Sequence, residues 1–163
     1  MINRELTRIF ALLTDGYEFK GENQFKINAY RKASGIIKDF PIELDEYIKE
    51  KALTEIPGIG EGIAKKITEY VDTGQVSKFQ ELMKEVPAEI FDMLNIPYIG
   101  PKTLRLAYQK LGVDSLIKLK KAISVGSFSL LPRMGKKKTQ KIYEAIQLFE
   151  KSEIGKNKFV VGD

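Results

Sequence analysis

Apolar residues recur at helical spacing along nearly the whole chain. Leu6, Ile9, Phe10 and Leu13 fall on one helical face, and Phe25, Ala29, Ala33, Ile36 and Ile37 fall on another. No segment shows the alternation of a half-buried strand. The periodic segments are short because they are cut by Gly16, Gly21, Pro41, "PGIG", Gly74, Pro87, "PYIGP", Gly112, Gly126 and "PRMG". The pattern predicts an all-α, multi-helical protein of roughly ten to twelve helices. A boundary near Pro87 divides it into two small helical domains, 1–87 and 88–163.

Three of the breaks are copies of one pattern. Aligned on Gly60, Gly100 and Gly135, they read "LTEIPGIGEGIAKKI", "LNIPYIGPKTLRLA" and "SLLPRMGKKKTQKI", each with a proline three residues before the glycine. An apolar residue stands seven positions after it in each copy: Ile67, Ala107 and Ile142. The glycines lie 40 and 35 residues apart, as expected of a repeated helical hairpin. Proline ends one helix, glycine admits backbone angles that other residues avoid, and the next helix starts at once. Its first N–H groups then point outward at the positive end of the helix dipole, where a phosphate oxygen can bind.

These residues resemble the helix-hairpin-helix motif, whose glycine-bearing loop holds DNA backbone without reading bases. "IPGIG" followed by Ala64 and Ile67 is a specific match. Tyr98 and Arg133 replace the first glycine in the second and third copies, which predicts looser geometry there. The DNA-binding set is Gly58, Gly60, Gly62, Lys65 and Lys66 in the first copy, and Gly100, Lys102 and Thr103 in the second. Arg133, Gly135, Lys136, Lys137 and Lys138 complete it in the third. Tyr98 and Tyr108 either stack on a base or fill the core, the core being the expectation for Tyr108.

Charge sharpens this picture. The net charge is +5, but residues 1–52 hold 9 basic and 9 acidic side chains, residues 53–93 hold 4 and 8, and residues 94–163 hold 14 and 5. An excess confined to one end is the field expected where a protein meets a polyanion. The chain has no cysteine and no histidine, which excludes disulfides, thiolate nucleophiles, the usual zinc sites and imidazole catalysis. Its amino terminus is charged, and no stretch approaches the length of an apolar span. A soluble, cytoplasmic monomer is expected.

"GENQFKINAYRKASGII", the three hairpins, "GQVSKFQELMKEVP" and "YQKLGVDSL" together resemble the amino-terminal portion of family X (polymerase beta-like) DNA polymerases. The resemblance covers residues 1 to about 160. It implies a small amino-terminal helical domain, often with 5′-deoxyribose-phosphate lyase activity, followed by a DNA-binding fingers domain. It further implies a role in repair on gapped, nicked or primer-template DNA. The catalytic palm is not among these residues: nucleotidyl transfer needs carboxylates clustered around two magnesium ions, and no Asp-x-Asp occurs. This chain alone is therefore expected not to polymerise DNA.

Lys66 matches the lysine that forms a Schiff base in lyase-active relatives. Lys26 and Tyr30 match a phosphate-contacting lysine and its tyrosine neighbour, with Arg31 beside them. Thr54 and Gly62 stand where lyase-proficient relatives carry lysines, and Phe25 replaces a polar residue, so the implied phosphate pocket is thinned. On a helical wheel Ile63, Ala64, Ile67, Tyr70 and Val71 form the buried stripe, with Lys65 opposite and Lys66 at its edge. Partial desolvation would favour the neutral, nucleophilic amine at Lys66. The acidic balance of residues 53–93 predicts the opposite, a protonated amine.

The resemblance also implies that loop carbonyls of Thr54, Ile56 and Ile59, and of Leu94, Ile96 and Ile99, can hold a monovalent cation, Na⁺ or K⁺. No other cofactor is required. Three readings remain: a non-catalytic DNA-binding module, a deoxyribose-phosphate or abasic-site lyase, and a helical protein-interaction adaptor.

Overall fold

The computed structural model describes residues 1–161, with side chains as far as Ser152. These residues form nine α-helices and two 3-10 turns, and no strand occurs among them. The chain divides into two compact units, Met1–Val86 and Pro87–Asp163.

The first unit is built on α1 (Ile2–Lys20) and α2 (Gln24–Lys38). Leu6, Phe10, Leu13, Ala33 and Ile37 make their buried seam. Gly16, expected to break a helix, lies inside α1. A Cβ there would stand 2.5 Å from Leu82 Cδ2, so the missing side chain admits α5 (Ser77–Glu85) against α1. The start of α1 is fastened to α3 (Leu44–Tyr47) by buried Asn3. Its Nδ2 donates to the Ile42 carbonyl at 2.7 Å, and its Oδ1 accepts the Leu44 N–H at 2.8 Å. The 3-10 turn Leu53–Glu55 then leads to α4 (Glu61–Thr73). Phe25, placed by periodicity on an apolar face, is 85% exposed.

The second unit holds α6 (Ala88–Met93), α7 (Pro101–Leu111), α8 (Leu116–Ser124), the 3-10 turn Phe128–Leu130 and α9 (Gly135–Val161). Leu104, Ala107, Leu119, Phe128, Ile142 and Ile146 are fully buried. Glu89 on α6 accepts the Leu116 N–H at 2.8 Å, capping α8, and Lys120 of α8 pairs with Glu150 of α9 at 3.0 Å. Among the described residues no helix is long and apolar enough to cross a membrane.

Candidate nucleic-acid interface

All three repeats fold into the same turn. The N–H of Ile59 donates to the Ile56 carbonyl at 3.0 Å, that of Ile99 to Ile96 at 3.4 Å, and that of Met134 to Leu131 at 3.1 Å. Proline occupies the second position. The third is left-handed in each: Gly58 at φ 93°, Tyr98 at 73° and Arg133 at 63°. Proline followed by a positive φ is the signature of a type II turn. The apolar residues at both ends of each turn are buried, as are Ile67, Ala107 and Ile142. This burial fixes the turn even where its third residue is not glycine, so the expected looseness at Tyr98 and Arg133 is not found.

The copies differ one step later. Gly60 and Gly100 are extended (φ −88° and −98°), and their carbonyls accept the first helical bonds from Ala64 at 2.9 Å and Leu104 at 3.0 Å. Neither helix has a side-chain cap. Both glycines are exposed, and a Cβ on either would meet nothing within 4 Å. Gly62, in the first turn of α4, likewise faces open space. Gly135 instead has φ 73°, so α9 is entered along a different path.

The predicted contact residues separate on this geometry. Lys65, Lys102, Lys136, Lys137 and Lys138 are exposed and Thr103 is half-buried; Lys138 Nζ donates to the Arg133 carbonyl at 3.4 Å. Gly58 is exposed, but its missing Cβ would stand 2.5 Å from Ile36 Cδ1 on α2, so a side chain there is opposed by packing as well as by φ. Arg31 is half-exposed and is engaged by Glu18 and by Asn28, at 3.1 Å. Tyr30 is 4% exposed, its ring 5.2 Å from that of Tyr17 and 6.1 Å from that of Phe10, and so is a wall rather than a surface contact. Tyr108, expected in the core, is 39% exposed.

Lys66 lies over that wall, its Nζ 5.7 Å from the centre of the Tyr30 ring. Burial, then the charges of Lys78 and Lys26, hold its amine below the ordinary lysine range, opposed by Glu69. The acidic balance of residues 53–93 therefore does not set its protonation, because the nearest charges are mostly lysines. The period of α4 gives no sign of Lys78, which belongs to another helix. After Gly74 ends α4, Glu69 accepts the Ser77 N–H at 3.1 Å and its hydroxyl, which places the start of α5 beside Lys66. Burial, then the charge of and hydrogen bond with Tyr17, push the Tyr30 phenol well above its usual range.

Nearby, a cavity of about 190 Å³ is lined by Lys20, Lys26, Lys78, Glu22, Glu81 and Glu85. Lys20 pairs with Glu85 and with Glu22 at 3.5 Å, and Lys78 pairs with Glu81 at 3.5 Å. The lysines thus meet as many carboxylates.

Residues 1–76 match the Helix-hairpin-helix domain and residues 90–148 the SAM-like Helix-hairpin-helix tandem. The chain is 33% identical over 146 residues, 90% of its length, to the DNA polymerase/3'-5' exonuclease PolX of Bacillus subtilis (strain 168), of which it spans 25%. It is 29% identical over 110 residues to DNA polymerase lambda of Arabidopsis thaliana, covering 67% of this chain and 20% of that protein. The figures for DNA polymerase lambda of Rattus norvegicus are 28% over 109 residues, 66% and 18%. The chain therefore carries helix-hairpin-helix domains and is homologous, over most of its length, to the amino-terminal region of family X DNA polymerases. It spans a quarter or less of these relatives.

Proposed function

We propose that this chain is a sequence-nonspecific DNA-binding module of the family X polymerase type, gripping the backbone of gapped, nicked or primer-template DNA in repair. The carrying observation is the emptiness beside Gly60 and Gly100. Their extended backbones suit any residue, and nothing in the protein occupies the space of a side chain. The absent side chains leave clearance in front of the uncapped amides, which an approaching strand needs. In α7 the proline at position 101 has no N–H, leaving the amides of Lys102 and Thr103 to donate.

Phosphate contacts give affinity without sequence information and release counterions. The logarithm of affinity for a gapped duplex is expected to fall linearly with that of salt, by about 0.9 per phosphate neutralised. Affinity indifferent to salt would reject this reading. Uncharged carbonyl oxygens of Thr54, Ile56, Ile59, Leu94, Ile96 and Ile99 suit a monovalent cation, which would further lower the negative potential of the loops; Ile56 and Ile96 each already accept one N–H and keep a lone pair.

A second reading rests on Lys66, whose lowered proton affinity suits an amine that must be neutral to attack an aldehyde. In it Lys66 forms a Schiff base with an abasic or 5′-deoxyribose-phosphate sugar. Borohydride should trap the adduct, and Lys66→Ala should abolish it; trapping that survives the substitution would assign the chemistry elsewhere.

A further inference from the structure

The second turn places a residue where conformation argues against it. The left-handed third position is glycine in the first hairpin but tyrosine in the second, at φ 73°. Side chains larger than that of glycine are strained there, and such strain persists where something else is gained. Buried ends hold the turn at Tyr98 as they do at Arg133, but the Tyr98 side chain itself gains no burial, being 67% exposed.

Tyr98 and Pro97 instead border a groove of about 570 Å³, whose other wall is α9, with Lys141, Ala145, Leu148 and Phe149. Leu148 is itself 69% exposed. The groove is mainly apolar, and Lys141 and Glu144 bring one donor and one acceptor to it. A nucleobase has this character: flat apolar faces and an edge that both accepts and donates hydrogen bonds. Tyr98 stands two residues before Gly100, a separation of at most about 7 Å along the chain, within one nucleotide of a phosphate held at the α7 amides.

We infer that Tyr98 and this groove form a binding site for an unpaired base, exposed at a gap or strand end, whose backbone is held at Gly100. The site confers a preference for interrupted over continuous duplex, because bases stacked within an intact helix have no free face. It rests on the reading of the hairpins as backbone-binding.

The test compares the wild-type chain with Tyr98→Gly and Tyr98→Phe, measuring affinity for a gapped and a continuous duplex at one fixed salt concentration, together with thermal unfolding. Glycine suits the left-handed turn, so Tyr98→Gly should melt at the same or a higher temperature. Its affinity for continuous duplex should be unchanged, and that for the gapped duplex should fall about tenfold. Tyr98→Phe should keep the preference through its ring. A gapped-DNA preference that survives Tyr98→Gly, or an equal loss on both DNAs, would overturn the inference. Equal wild-type affinity for the two DNAs would sink the stacking site alone, whereas no binding to either at low salt would sink the hairpin reading with it.

Discussion

At the scale of single residues, glycines that look alike in sequence do different work. Gly58 answers to its turn and to a neighbouring helix. It has a positive φ and Ile36 sits 2.5 Å from where its Cβ would be. Gly58→Ala should therefore destabilise the first unit by about 1–3 kcal/mol, read by chemical denaturation. Gly60 and Gly100 answer to nothing inside. An aspartate at either position is a good N-cap and should leave stability equal or improved. Its carboxylate would also occupy the amides and repel phosphate. Gly60→Asp and Gly100→Asp are thus expected to weaken DNA binding about tenfold to a hundredfold, the worth of charge-assisted hydrogen bonds, without loss of melting temperature. Weakened binding accompanied by unfolding would speak instead for a structural role.

At the scale of elements, the pairing of α4 with α5 sets the chemistry of Lys66. Its folded proton affinity is lowered, so protonating it disfavours the fold; that penalty is present at low pH and disappears as pH rises through the folded pKa towards the ordinary 10.5. The rate of borohydride trapping should accordingly rise with pH about a midpoint below 10.5. Lys78→Gln removes a repelling charge and should move that midpoint upward; an unmoved midpoint would show that Lys78 does not act on Lys66. The position of Lys66 at the edge of α4 is legible from the helical period alone. The role of Lys78 is not, because it depends on Glu69 capping the next helix, a contact between elements. Phe25 and Tyr108 show the same limit: sequence pattern places a residue on a face, whereas exposure depends on what the neighbouring helices cover. The hairpins are legible because proline, glycine and flanking apolar residues determine a turn locally, and even Tyr98 and Arg133 comply.

At the scale of the whole molecule, charge is divided unevenly between the two units. Residues 1–86 hold 13 basic and 15 acidic side chains, and residues 87–163 hold 14 and 7. The second unit should therefore dominate long-range attraction to DNA. Replacing Lys136 and Lys137 together by glutamine should reduce the salt slope of binding by about two, one for each phosphate left without its lysine. The proposed grip is narrower than charge: backbone amides at the starts of α4 and α7 would hold the strand. It is tested most directly by following the amide resonances of Glu61, Gly62, Lys102 and Thr103 while gapped duplex is added. These four should shift together, saturate with binding, and return as salt is raised. DNA that binds while they stay in place would contradict that grip.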